Sequence, residues 1–276
     1  MELSHTKPEI IAIWQPFGFS THIITKKVSE LLQTPTSHTG TLDPMAEGVI
    51  VVLTGENRHK KYEYASWLKT YEFNLVLGVS TDSYDGLGLM TSNFIKPNLT
   101  ENHINLALVQ IKSQKPYIQT IPPYSAIKVN GKPLHWYARS NMLAEVTLPT
   151  RSGEIYELSL VSLKEVNLES ALKLIINRTN LVTGNLRQPV VLAQWEKFLK
   201  DVGNLSTYEL VLRVKLTKGL YVRSLSQDIC KQLDCTGFVS SISRIDNGLY
   251  NKSNCVTLEQ LFGSNYNRDQ KFDSIT

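Results

Sequence analysis

His38-Thr39-Gly40-Thr41-Leu42-Asp43-Pro44-Met45-Ala46-Glu47-Gly48-Val49 is the stretch on which the reading of this 276-residue chain turns. Its first seven residues make a polar loop between two well-marked elements. Upstream, Ile10–Trp14 reads as a buried strand. Ser20 is placed to cap a helix whose apolar residues Ile24, Val28, Leu31 and Leu32 recur at helical spacing until Pro35 stops it. Downstream, Val49–Leu53 is a β-branched strand. Standing before Pro44, Asp43 is biased to extended backbone in a loop, where a side chain can face a cleft.

Moving outward, the spacing predicts a helix over Glu56–Leu68 and then a half-buried strand. In that strand Tyr71, Phe73, Leu75 and Leu77 face one way, Glu72, Asn74 and Val76 the other. Thr100 caps a helix with the stripe Ile104, Ala107, Leu108 and Ile111. A strand follows around Ile155–Leu163, and residues 164–207 read as mostly helical. The clearest helix there opens at Pro189, carries Val191, Trp195, Phe198, Leu199 and Val202, and stops at Gly203. Tyr208–Leu216 alternates with Leu210, Leu212, Val214 and Leu216 on one side, and Ser224–Gln227 has a capping-box pattern opening another helix. No repeat and no Gly/Ser-rich linker divides the chain. The expected class is α+β, a mixed, largely antiparallel sheet flanked by helices, in one domain over residues 1–276.

Hydrophobic residues make up 42% and charged residues 20%, which argues against disorder and low complexity. The longest apolar runs are too short to span a bilayer, and the start of the chain, with Glu2, His5, Lys7 and Glu9, shows no secretory signal. Cys230, Cys235 and Cys255 have neither disulfide-framework nor metal spacing. These features lead us to expect a cytoplasmic protein with no metal site. The net charge is only +4, but Asn102–Ala144 contains no carboxylate, and Lys112, Lys115, Lys128, Lys132 and Arg139 contribute +5 there, leaving −1 for the remainder. Tyr117, Tyr124, Trp136 and Tyr137 are interleaved with these charges. Cations among aromatics suit a phosphate backbone with exposed bases, so residues 112–155 are expected to grip RNA.

Four ordered blocks then carry a resemblance. The opening stretch is similar to GHTGTLDPxAxGVL, the catalytic-loop signature of the TruB family of tRNA pseudouridine-55 synthases. Gly78–Gly86 is a second block. Gln119–Lys128 with Gly131-Lys132-Pro133-Leu134 and Tyr137-Ala138-Arg139 resembles the family's QTPPxYSAxK…GKPLxxYAR segment. Lys218–Leu225 resembles KGTYIRSL. The resemblance runs from about Trp14 to Leu261 in family order and implies the pseudouridine synthase fold, with residues 164–207 as a helical insertion.

The reaction so implied breaks the bond between uracil N1 and the ribose, turns the base and rejoins it through C5. Uridine and pseudouridine are isomers, so no redox cofactor, ATP or metal is expected. The resemblance makes Asp43 the catalytic aspartate; attack on C1′, attack on the uracil ring and elimination all use a carboxylate so placed. It makes Arg223 the arginine that pairs with that aspartate, where a guanidinium keeps a carboxylate ionised and fixes its rotamer. Alternation puts Arg223 on the same side as Tyr221, just before a capped helix. Tyr71 matches the tyrosine that stacks on the target base, and His38 the histidine that contacts the displaced nucleotide region. Tyr221 and Ile242 align with further pocket positions, Asp85 with a base-edge contact, and Lys128 with the RNA-gripping segment.

Departures from the pattern are also visible. Gln15-Pro16-Phe17-Gly18 replaces a Lys-Pro-x-Gly element. The GEATK segment becomes Gly55-Glu56-Asn57-Arg58-His59, its basic residues moved to Arg58, Lys60 and Lys61. Ser243-Arg244 stands where two arginines are usual. Fifteen residues follow Leu261, too few for a folded module of ~50 residues, so no C-terminal PUA domain and no guide-RNA complex are expected. The expected activity is stand-alone isomerisation of the T-loop uridine at tRNA position 55 by a monomer that flips the base out and holds the T arm. Two other readings compete. An idle RNA-binding or chaperone protein would not need Asp43, Tyr71 and Arg223 together. A hydrolytic glycosidase wants two carboxylates, where the motifs offer one.

Overall fold

The computed structural model describes residues 8–263. Glu2, His5 and Lys7, and most of the segment beyond Leu261, which bear on the leader and the additional domain, lie outside the described residues. In chain order the elements are β1 (Ile10–Gln15), α1 (Thr21–Leu32), β2 (Thr36–His38), β3 (Ala46–Thr54), α2 (Lys61–Ala65), β4 (Lys69–Leu77), α3 (Glu101–Ser113) and β5 (Tyr117–Thr120). Then come β6 (Lys128–Val129), β7 (Lys132–Pro133), α4 (Leu134–Arg139), β8 (Thr150–Gly153), β9 (Ile155–Asn167), α5 (Leu168–Leu181) and α6 (Gln188–Asp201). The last are β10 (Ser206–Leu216), α7 (Val222–Gln232), β11 (Gly237–Asn247), β12 (Tyr250–Asn251) and α8 (Leu258–Phe262).

The chain forms two units. The first holds residues up to Tyr71, Leu181–Asn185 and residues from Ser243 onward; the second holds Glu72–Asn180 and Leu186–Ile242. Strands β4 and β11 each begin in one unit and end in the other.

In the first unit the strand order is β1-β3-β11, with β2 also paired to β3 and β12 to β11. β1 and β3 are antiparallel, from Ile10 opposite Leu53 to Gln15 opposite Gly48. Val49, Val51 and Leu53 alternate onto one face, fully buried, and pack with Ile10, Trp14, Trp67 and Tyr250. Residues 50 and 52 are buried too, so β3 is covered on both faces, which is why its sequence reads as a continuous apolar run. Helix α1 starts after Ser20 as expected, but the serine makes no side-chain cap; Thr21 instead spends its hydroxyl on Gln15 Oε1 at 2.6 Å. The helix predicted over Glu56–Leu68 is shorter, a 3₁₀ turn over Gly55–Lys60 followed by α2.

In the second unit the order is β11-β4-β10-β9. β9 and β10 form a long antiparallel pair, and Leu210, Leu212, Val214 and Leu216 are buried as the alternation requires. The expected β4 alternation holds for Phe73, Leu75 and Leu77, but Val76 is also buried, because β4 is an interior strand. Helix α3 buries Ile104, Ala107, Leu108 and Ile111, and Thr100 Oγ1 accepts from His103 N at 3.3 Å. Residues 164–207 contain α5 and α6, bounded by the ends of β9 and β10. The capping box at Ser224 does not form. Helix α7 begins at Val222 after Tyr221, and Ser224 Oγ donates to Thr120 O at 2.6 Å. The α+β class and the mixed, largely antiparallel sheet are as expected. The β1–β3, β2–β3, β5–β8 and β9–β10 ladders are antiparallel, and isolated bridges such as Asp85 with Val239 are parallel.

Candidate active-site loop and its supports

In the first unit, Asp43 sits half-buried at the start of a turn between β2 and β3, its carbonyl accepting from Ala46 N at 2.9 Å. The loop is fastened at several points. Leu42 N donates to Thr21 Oγ1 at 3.1 Å, and Thr39 N to Val51 O at 3.0 Å. Arg244, only 1% exposed, donates from Nε to Val49 O at 2.6 Å and from Nη2 to Gly40 O at 3.1 Å. One guanidinium therefore ties together both ends of the loop that carries Asp43. Its planar fork of donors suits two carbonyls in fixed geometry. In the sequence Arg244 is what remains of the usual arginine pair; burial makes it an internal clamp.

His38 closes β2 at the start of this loop, half-buried, with Nδ1 buried and without a hydrogen-bond partner. Burial, then the charges of Lys61, His22 and Arg244, lowers its pKa to about 4. His38 is thus neutral at physiological pH, in keeping with a role in shape and hydrogen bonding. Tyr71 lies half-buried in β4, at the end of the first stretch of its unit.

In the second unit, Arg223 is 3% exposed in the first turn of α7, not ahead of the helix as alternation suggested. Its Nε lies 3.6 Å from Asp85 Oδ2, Nη1 donates to Ser83 O at 3.0 Å and Nη2 to Tyr124 O at 3.1 Å. Asp85 is itself 3% exposed and accepts from Ser83 Oγ at 2.6 Å and Leu87 N at 3.0 Å. This buried carboxylate is engaged inside the protein, its Oδ1 by Ser83 and Leu87 and its Oδ2 beside Arg223. Tyr221 is half-buried; its N–H and carbonyl are both held by the Gln119 side chain. Ile242 is 3% exposed in β11, and Lys128 is exposed on the β6–β7 hairpin.

Helix α6 and the residue just before it brace the Asp85 loop. Trp195 Nε1 of α6 donates to Gly86 O at 3.1 Å, and Gln194 Oε1 accepts from Met90 N at 2.7 Å. Arg187 forks onto Asp82 at 2.8 and 3.0 Å and lies 4.3 Å above the Tyr124 ring. Sequence reasoning assigned these residues to a surface addition. Only Trp195, a large aromatic on the α6 stripe, signalled packing.

The basic window divides in two. Lys112, Lys115, Lys128, Lys132 and Arg139 are all exposed, as an RNA-facing surface requires. Of its aromatics, two are withdrawn from the surface and two are half-buried. Tyr117 and Tyr137 are buried, with Tyr117 hydroxyl on Asp228 and Tyr137 hydroxyl on Val129 O. Tyr124 donates to Asp82 at 3.0 Å, and Trp136 lies 3.6 Å under Lys132 Nζ. Among the described residues no helix is long and apolar enough to cross a membrane, and no group of three or more His, Cys, Asp and Glu residues converges.

Solved chains with related architecture include that of a Cbf5-Nop10-Gar1 complex, with a TM-score of 0.56 at 17% identity over 91% of this chain and 52% of that one. Another belongs to an H/ACA RNP bound to a substrate RNA containing 2′-deoxyuridine, at 0.54 and 15% identity over 94% of this chain and 59% of that one. The fold is that of the pseudouridine synthases. The model of the TruB family pseudouridylate synthase N-terminal domain matches residues 29–176, and the chain belongs to the TruB family. Proteins called tRNA pseudouridine synthase B are similar to it. That of Caldanaerobacter subterraneus subsp. tengcongensis is 30% identical over 91% of this chain and 73% of its own length. That of Clostridioides difficile is 29% identical over 92% and 70%, and that of Francisella tularensis subsp. holarctica 32% over 87% and 64%. The chain thus spans about two thirds of these relatives' length.

Proposed function

We propose that this chain isomerises uridine to pseudouridine in tRNA, at position 55 of the T loop, with Asp43 as the catalytic carboxylate. Membership of a pseudouridylate synthase family and similarity to proteins called tRNA pseudouridine synthase B support the reaction and the RNA class. The observation that carries the residue assignment is the fastening of the Asp43 loop by Arg244, Thr21 and Thr39, which holds a carboxylate-bearing turn in one geometry. The target nucleotide is flipped from its stack at a cost of a few kcal/mol, and Tyr71 returns about 1–3 kcal/mol by stacking on it. The N1–C1′ bond breaks, the uracil turns, C5 bonds to C1′, the C5 proton departs and N1 regains one, so atoms and charge balance. Arg223 is the arginine that the family resemblance assigns to this reaction. The protein acts as a cytoplasmic monomer on the T arm, without a guide RNA.

Chemical mapping of pseudouridine in tRNA, after incubation with the pure protein and no ATP or metal, tests this reading. Product at position 55, lost in Asp43→Asn with tRNA affinity retained, is the expected result. Single-turnover product from pure Asp43→Asn overturns the assignment. An isolated T stem–loop should be modified within about tenfold of intact tRNA in kcat/KM, or ~1.4 kcal/mol, if contacts concentrate on the T arm. An inert stem–loop overturns that part.

A further inference from the structure

Within the first unit, a cleft of 330 Å³ opens between one face of α1, the β2 strand and the start of α2. Its basic side chains are His22, Lys26, His38 and Lys61, and no carboxylate lines it. His22 and Lys26 are one helical turn apart on α1, so they share a face; His22 is exposed and Lys26 is exposed. Lys61 faces them from the first position of α2. The hydroxyls that also line the cleft are mostly spent. Thr25 donates to Thr21 O at 2.7 Å, Ser29 to Thr34 O at 2.7 Å and Thr36 to Thr25 O at 3.0 Å. The donors that remain to meet a ligand are therefore the two ammonium groups, the imidazoles and Ser37.

Like charges gathered around a cleft repel one another unless an anion joins them. The repulsion is felt at His38, where Lys61 and His22 add to burial in disfavouring the imidazolium. The ligand that such a site selects is a compact anion rich in acceptor oxygens. His38 and Asp43 stand at the two ends of one six-residue stretch, so an RNA that delivers a nucleotide to Asp43 brings its phosphodiester chain to this part of the unit. Lys61 also belongs to the group of basic residues that takes the place of the GEATK lysine.

We propose that this cleft is a phosphate subsite, in which Lys26, Lys61 and His22 seat a backbone phosphodiester of the RNA substrate. The proposal rests on the reading of the chain as an RNA-modifying enzyme, and its test is separable from that reading.

Inorganic phosphate is titrated into the full chain while the imidazole resonances of His22 and His38 are followed by NMR. An anion in the cleft favours the imidazolium form, so both sets of resonances should move toward it on adding phosphate, and Lys26→Ala/Lys61→Ala should abolish the response. In parallel, tRNA affinity is measured against salt. Each phosphate left unneutralised takes about 0.7–0.9 off the log–log slope, so the double variant should flatten it by one such increment, because both lysines hold one phosphate. Lys61→Glu should flatten it at least as much and raise the His38 pKa without added phosphate, which reports on the cleft even where affinity is too weak to measure. Unshifted imidazoles and an unchanged slope overturn the subsite. Imidazole shifts without a slope change mean a site for small free anions and overturn the RNA assignment. Failure of the wild-type chain to form pseudouridine overturns the proposed function and leaves both readouts of the cleft intact.

Discussion

A Cβ on Gly48 would lie 2.3 Å from the carbonyl oxygen of Arg244 and 2.7 Å from its nitrogen, so these residues meet backbone to backbone. Gly48 also has φ +124°, outside the range side chains readily adopt. The close approach brings β3 and β11 together where the Arg244 guanidinium turns in to hold Gly40 and Val49. The glycine in the signature loop is thus a packing requirement of its arginine clamp.

Gly48→Ala should therefore destabilise the fold by about 3 kcal/mol or more, since neither backbone can retreat without breaking the strand pairing. Arg244→Met keeps much of the volume but leaves two carbonyls without their charged donor, at a cost of about 2–4 kcal/mol. Urea unfolding midpoints measure both. In Arg244→Met, kcat should fall by more than KM rises, because the loop it positions carries Asp43.

Trp195→Phe tests the brace beneath Asp85. The ring still packs 5.2 Å from Phe238, but the Gly86 carbonyl loses its indole donor. A stability loss of about 1–3 kcal/mol is expected from an unpartnered buried acceptor. Turnover should drop several-fold with little change in the salt dependence of tRNA binding. Wild-type kcat in a variant of reduced stability would show that α6 supports the fold alone.

The pH dependence of stability carries a signature of His38. Its folded pKa is near 4, below the ordinary 6.5, so the unfolded chain binds the extra proton between these values. His38 therefore makes stability fall as pH drops from about 6.5 to about 4, by up to ~3 kcal/mol for a shift of this size, less whatever solvent screening removes. His22, Lys26, Lys61 and Arg244 are the charges nearest to it. Measured by chemical denaturation from pH 7 to pH 4, His38→Asn should show a shallower loss than the wild type. Parallel curves would refute the assignment.

Neutralising the exposed Lys128, Lys132 and Arg139 together should weaken tRNA binding and lower the log–log salt slope by about 0.7–0.9 for each phosphate they no longer neutralise. Replacing the buried Tyr117 should instead destabilise the fold, since its hydroxyl is tied to Asp228. Tyr117 would then serve the fold and not base stacking.

The chain alone made its class, its main strands and helices, and its Asp43 loop legible, because local periodicity and an ordered motif are properties of neighbouring residues. Ile104, Ala107, Leu108 and Ile111 are buried as the helical stripe requires, and the β10 leucines and valine as alternation requires. What lay beyond it were the roles set by partners far along the chain. Arg244 reads as one more basic residue until its carbonyls at Gly40 and Val49 are found. Asp85 reads as a loop carboxylate until its burial beside Arg223 and its bond from Leu87 N are found. Tyr117 and Tyr137 read as stacking surfaces until burial removes them from solvent. Composition and spacing state which donors, acceptors and rings are available. Which of them are spent inside the protein and which are left for a ligand depends on desolvation and long-range hydrogen bonding, and only the tertiary structure decides that.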